Sequence, residues 1–198
     1  MSIEPSLSSL LDLEKIKSEI DILVKKYDRL KTSGKLEHLT EEETKKDFIL
    51  PLFEILGWDV YNKISDNEVS AEEKASKGFV DYGFRIDGIP QLFLEAKSFK
   101  AGVDKDDFAF QSINYAYNKG STWAVLTNFE KIRIFNAQWK ERLSSSSQFF
   151  VLNCSDFLSN IDQLLLLSRE AMKQKLLDKQ AEKWGKKIKK SSIDKQLL

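Results

Sequence analysis

One cysteine, Cys154, and one histidine, His38, leave this chain little from which to build thiol or imidazole chemistry. A lone cysteine cannot form an intramolecular disulfide or a cysteine metal cluster, which points to a reducing, cytoplasmic setting. A lone histidine excludes paired-histidine catalysis and histidine-rich metal sites, and its place between two helical patterns is that of an exposed loop residue. Long apolar runs are absent. Acids and lysines interrupt the apolar residues of 1–20, and 164–167 is far too short to cross a bilayer, so neither a signal peptide nor a membrane span is expected. Charge of one sign is also missing: 31 Lys and Arg balance 31 Asp and Glu, so a polyanionic partner would need a local basic patch. Only eight Gly and three Pro fit an ordinary globular chain, and no repeat of solenoid or propeller length is seen. No Walker A loop, Asn-Pro-Pro-Tyr signature, glycine-rich nucleotide motif, helix-turn-helix or zinc finger is present.

What is there suits one well-packed α/β domain with helical extensions; 198 residues are too few for two sizeable cores. Leu13, Ile16, Ile20, Leu23, Tyr27 and Leu30 recur at steps of three and four, which predicts an amphipathic helix over 10–30. After a connection around Gly34, Thr40 and Glu43 form a capping-box signature for a second helix running to about residue 56, with Gly57 as its stop. A short strand is expected at 58–61, and a mobile loop at 65–78, where apolar periodicity is lost. The strings FVDYGFRI (79–86) and IPQLFLEAK (89–97) flank Asp87-Gly88, a favoured hairpin turn, although Pro90 could shift its boundary. A helix over 104–119, strands at 122–127, 131–135 and 148–152, a loop at the serines 144–147, and helix from 155 onward complete the pattern. The expected fold is α/β, a mixed central sheet flanked by helices, divided as an N-terminal helix (1–35), a core (36–153) and a C-terminal helical connector with a lysine-rich end (154–198). That end could contact phosphates, but a solvated helix face serves equally well.

Side chains two apart on a strand share a face, so Glu95 and Lys97 project together while Leu94 and Ala96 turn into the core. On the partner strand Val80, Tyr82, Phe84 and Ile86 form the apolar set, leaving Asp81 on the other face. The hairpin then brings Asp81 beside Glu95 or Lys97. Two carboxylates and one ammonium suit phosphodiester hydrolysis: Mg²⁺ prefers carboxylate oxygens plus water, and a nearby ammonium can hold the attacking water and counter charge on the phosphoryl group. Asp87 competes for the role of acid, but its glycine partner makes it a turn residue.

Asp81, thirteen residues, then Glu95-Ala96-Lys97 resembles the PD-(D/E)XK motif of restriction nucleases, with Val80 where the motif usually has Pro. Gln111 and Tyr115 resemble the Gln-x-x-x-Tyr element of type I and type IIG restriction enzymes. Taken alone, that pair reads as a surface amide and a core aromatic. EEETKKDFILPLFEILGWDV (41–60) is similar to the acidic helix of those enzymes, and AVLTN (124–128) with KIRIF (131–135) resembles their closing strand pair.

The resemblance spans about 36–153 and implies a restriction-endonuclease-like core. It also implies an Mg²⁺-dependent endodeoxyribonuclease, with Mn²⁺ as substitute, acting on double-stranded DNA. In it Asp81, Glu95, Glu41 and the Ala96 backbone carbonyl hold the metal, and Lys97 and Gln111 act at the reaction centre. Glu41 is preferred over Glu42 or Glu43 by its spacing to Thr44. The resemblance further implies methyltransferase and target-recognition domains in the same longer chain, of which this is a fragment, and pairing of two copies during cleavage. A type I restriction subunit is the nearest relative reading. A non-catalytic DNA-binding or assembly module on the same fold is the alternative from another class.

Overall fold

The computed structural model describes residues 11–74, 79–138 and 144–183. Helix α1, Leu13–Thr32, opens with the Asp12 carboxylate accepting from the Lys15 amide and buries Ile16, Ile20, Leu23 and Tyr27, the stripe its periodicity predicts. Its predicted start at Leu10 lies outside the described residues. The second helix begins as α2, Glu41–Thr44, under a complete capping box between Thr40 and Glu43. It widens into a π turn, Lys45–Ile49, and returns to α geometry in α3, Leu50–Ile55. Pro51 accounts for the widening. Its ring has no N–H for the Asp47 carbonyl and would crowd it in a regular helix. The freed carbonyl accepts instead from Lys26 Nζ at 3.0 Å, while the Leu50 amide reaches back five residues to Lys45.

Gly57, at φ 90°, ends this helix. The Trp58 amide bonds the Phe53 carbonyl and the Gly57 amide bonds Glu54, the paired bonds of a glycine C-terminal motif. The strand expected at 58–61 does not form. Trp58 is buried with its indole donating to the Leu167 carbonyl at 2.9 Å, and the Asp59 carboxylate gathers the Lys63, Ile64 and Ser65 amides into a loop. Those amides pull the Asp59 carboxyl down to about 2.

The expected mobile loop at 65–78 contains a strand instead, β1, Val69–Lys74. It runs at the sheet edge against β2, Phe79–Ile86, with only Val69 among its described side chains buried, so no apolar alternation advertises it. The Asn62 side chain pairs both backbone groups of Val69. Residues 75–78 of that segment lie outside the described ones.

β2 and β3, Ile89–Ala96, form the expected hairpin, with Asp87 and Gly88 both at positive φ, as a type I′ turn requires. Pro90 leaves the turn in place. The register slips further along, between Phe84 and Arg85. Helix α4, Asp106–Asn118, carries the chain across to β4, Trp123–Thr127, which lies parallel to β3. β5, Lys131–Asn136, and β6, Gln148–Asn153, complete a six-stranded sheet in sequential order whose other pairings are antiparallel. The serines Ser144–Ser147, expected as a loop, make one helical turn into β6. Beyond it the expected helical segment is three short helices, α5 Ile161–Leu165, α6 Arg169–Lys173 and α7 Leu176–Lys183. The lysine-rich end past 183 lies outside the described residues.

The fold is therefore α/β, a mixed sheet with helices on both faces. One face carries the larger core, where Phe84, Leu92, Leu94, Val125 and Ile134 meet side chains of α1, of the α2–α3 helix and of the C-terminal helices. The other carries Phe93, Ala124, Leu126 and Phe135 under Ala109, Ile113 and Ala116 of α4. Strand β3 is thus apolar on both faces, with Leu92, Phe93 and Leu94 fully buried, each worth about 1.5–3 kcal/mol of burial. Val80, expected beside Tyr82, Phe84 and Ile86, joins the second core instead. No described helix is long and apolar enough to cross a membrane.

Candidate active site

Beyond the slip at Phe84 and Arg85 the pairing of β2 with β3 runs in register to Tyr82 opposite Leu94. One step further the strands part. Amides alternate in direction along a strand. The Lys97 amide bonds the Thr127 carbonyl of β4 at 2.9 Å, so the Ala96 amide points toward β2. It finds no main-chain acceptor there; Asp81 Oδ2 takes it at 2.7 Å. The aspartate side chain thus occupies the opening between the strands and faces the residues around Ala96.

On the same side of β3 stand Glu95 and Lys97. Lys97 Nζ donates to Glu95 Oε1 at 2.6 Å, and both side chains are largely enclosed, at 12% and 4% exposure. The second oxygen, Glu95 Oε2, is buried and has no hydrogen-bond partner. Burial raises the Glu95 carboxyl to about 6; the Lys97 ammonium pulls it down, and the negative charges of Asp81 and Glu41 add to the rise.

The start of α2 supplies the remaining groups. Glu41 Oε2 lies 3.9 Å from Lys97 Nζ and Glu41 Oε1 lies 3.6 Å from Lys45 Nζ. Its neighbours are placed differently: Glu43 is spent on the capping box, and Glu42 is 81% exposed with one oxygen on Lys45. Lys45, which sequence reasoning missed, is 9% exposed and bonds Asp81 Oδ1 at 2.6 Å and Glu42 Oε1 at 2.7 Å. Burial alone would lower its pKa, but the bonds to Asp81 and Glu42 outweigh it and hold the ammonium protonated beyond the ordinary lysine range. Its only local signal is the four-residue spacing from Glu41, which puts both on one helical face.

Gln111 and Tyr115 part company in the structure. Tyr115 is buried against Phe93, ring centroids 4.8 Å apart, as a core aromatic. Gln111 is exposed on α4, one turn past Phe108, whose ring lies 5.0 Å from Lys97 Nζ and 5.5 Å from Lys105 Nζ. Phe108, also missed, links α4 to the lysine of the site. Asp87 is the hairpin turn residue, His38 is exposed in a short 3₁₀ turn, and Cys154 is buried with its thiol pushed up to about 11 by burial.

Among the described residues no three acid, histidine or cysteine side chains stand in ligating reach of one point, because the two lysines lie between the acids. Hard oxygen donors on two strands and one helix, with a buried carboxylate oxygen still unpartnered, nonetheless fit a divalent cation by their chemistry. What the arrangement provides is a cluster of acids at the split end of β2 and β3, bridged by two enclosed ammonium groups.

No protein-family model matches the chain. Over 195 residues it is 29% identical to the type II restriction enzyme and methyltransferase RM.Eco57I of Escherichia coli, a match that takes in 90% of this chain and 19% of that protein. The chain therefore spans less than a fifth of the relative's length. Among solved structures it is similar to a fragment described as the HsdR subunit of a type I restriction enzyme from Vibrio vulnificus, at TM-score 0.43 and 19% identity over 64% of this chain and 26% of that one. It is also similar to the type IIG restriction endonuclease BpuSI, at TM-score 0.42 and 19% identity over 66% and 16%.

Proposed function

We propose that this chain is the nuclease domain of a restriction–modification enzyme, hydrolysing phosphodiester bonds of double-stranded DNA with Mg²⁺, while target recognition and methyl transfer reside elsewhere in a longer protein. The observation that carries the reading is the meeting of Asp81, Glu95, Glu41 and Lys97 where β2 and β3 part, with one Glu95 oxygen buried and unpartnered. The name of the E. coli relative, which joins restriction and methyl transfer in one protein, supports the wider assignment.

In this reading Asp81, Glu95, Glu41 and the Ala96 carbonyl would hold the Mg²⁺, with Mn²⁺ as a substitute. A divalent ion bound there polarises the scissile phosphoryl group and offsets charge on its oxygens. The chain's own residues do the rest. Glu95, half-protonated near pH 6 and ionised at pH 8, keeps Lys97 Nζ in place through its Oε1. Lys97 uses its other N–H bonds to orient the attacking water and to counter the charge gathering on the phosphoryl oxygens. Phe108 packs beneath that ammonium and limits where it can point. Gln111, on the exposed side of α4, faces outward where the substrate backbone would approach. A double-strand cut would pair two copies, each cutting one strand.

The test is plasmid cleavage by the full chain with Mg²⁺ or Mn²⁺, beside Lys97→Ala. Cutting that needs the metal and is abolished in the variant is the expected result. DNA binding without cutting by either protein would leave a non-catalytic assembly module on the same scaffold. If cleavage is weak without the rest of the enzyme, a metal titration of Asp81→Ala decides: unchanged affinity removes Asp81 from the site.

A further inference from the structure

Lys45 has no part in the mechanism above, yet among the described residues it touches more acids of the cluster than Lys97 does. Its ammonium meets Asp81 Oδ1 at 2.6 Å, Glu42 Oε1 at 2.7 Å and Glu41 Oε1 at 3.6 Å. Its side chain is 9% exposed and that of Asp81 14%, so solvent screens that contact little, while Glu41 and Glu42 reach in from the more exposed side. A salt bridge at the surface would leave both partners free to move; here two of the three acids are those expected to ligate a cation. The π turn that Pro51 imposes begins at Lys45 itself, so the helix is irregular at the residue that reaches the strands. Wide turns of this kind often mark functional positions.

Placed this way, Lys45 holds the position of positive charge in the acid cluster. Asp81 presents one oxygen to the Ala96 amide and the other to Lys45. A cation approaching Asp81 must share that second oxygen with an ammonium or displace it, and two positive charges on one carboxylate repel each other. The orphaned Glu95 Oε2 is buried, accepts no hydrogen bond, and marks where the cluster still has unmet acceptor capacity.

We propose that Lys45 is a positioning residue that acts as a resident counter-cation: it holds Asp81 and Glu41 together while no divalent ion is bound, and it competes with that ion for Asp81. The role rests on the reading of the acid cluster as a divalent-cation site. Lys45 thereby sets how tightly the metal is held, so that the acid cluster neither flies apart when empty nor retains the ion too firmly. The competition is electrostatic, and an arginine at this position preserves it.

Calorimetric titration of the full chain with Mn²⁺ and Mg²⁺, comparing wild type, Lys45→Met and Lys45→Arg, tests the role without any substrate. Lys45→Met is expected to bind the metal tenfold or more tightly, to melt lower than wild type without metal, and to gain more melting temperature on metal addition. Lys45→Arg should stay within a few-fold of wild-type affinity. Weaker or unchanged binding by Lys45→Met overturns the competition while leaving the cation site intact. Absence of binding in wild type overturns the cation site and this role together. Should Lys45→Met fail to fold, the wild-type protein answers alone: the Lys45 side-chain ammonium resonance must move on Mg²⁺ addition, and an unmoved resonance refutes the proposal.

Discussion

The Ala96 amide gives its hydrogen to Asp81 Oδ2 at 2.7 Å, so a side chain rather than a strand closes the end of the β2–β3 ladder. The other Asp81 oxygen holds Lys45, and the aspartate therefore ties α2 to the sheet. Asp81→Ala should remove both bonds and lower stability by about 1–3 kcal/mol, the cost of leaving enclosed polar groups unpaired. Asp81→Asn keeps an acceptor for the amide and should lose less. Denaturant unfolding of the two variants without metal checks the order.

The buried Glu95 carboxyl gives stability a definite pH slope. Its pKa in the fold, about 6, stands above the ordinary carboxylate value, so the folded state binds more protons than the unfolded one between roughly 4.5 and 6. The sign is destabilising upward: stability from this group is complete below the unfolded pKa and falls as pH rises through 6. Glu95→Gln cannot ionise and should therefore gain relative to wild type on going from pH 5 to pH 8, by about 1.2 kcal/mol at 1.36 kcal/mol per unit, because the unfolded carboxyl is already largely ionised at pH 5. Melting temperatures of both proteins at the two pH values test it; a constant difference would refute the assignment.

Arg169 of α6 pairs with the buried Glu68 at 2.9 Å, and Glu68 also accepts from the Asp59 amide at 3.0 Å. The C-terminal helices are thereby fastened to the loop before β1. Arg169→Ala leaves a buried carboxylate without its cation and should cost about 1–3 kcal/mol, less than a fully buried pair because Arg169 is one-third exposed. Faster amide exchange at Asp59 and Val60 in the variant would show that the loop loosens with it.

Gly57 adopts φ 90° at the end of α3, with room around it: a Cβ would meet only the Arg169 side chain, at 3.8 Å. The cost of Gly57→Ala is therefore backbone strain and not crowding, about 1 kcal/mol. Thermal unfolding should show that loss with no change in cooperativity.

Much of the geometry of the candidate site was legible because it depends on neighbours in sequence. Asp87 and Gly88 dictate a tight hairpin, period-two alternation puts Glu95 and Lys97 on one face, and the hairpin brings Asp81 to the Ala96 amide between them. Thr40 and Glu43 cap the second helix by local bonds alone. The misses fall where no local signal exists. β1 is an edge strand of polar residues, recognisable only through its partner β2. Val80 leaves its expected face because the strands part beyond Tyr82, an event no alternation rule contains. Gln111 and Tyr115 divide as their residue types suggest when taken alone, an exposed amide and a tyrosine packed on Phe93.

By itself the amino-acid order determined the hairpin, the helix caps, the apolar stripe of α1 and the shared face of Glu95 and Lys97, since each follows from backbone geometry over a few residues. Only the tertiary structure decided that Glu41 rather than Glu42 or Glu43 reaches Lys97, that Lys45 fills the gap beside Asp81, and that one Glu95 oxygen is left unpartnered. Those outcomes depend on how a helix settles on a sheet some forty residues away in sequence, where small rotations decide which charged group reaches the acid cluster and which stays in water.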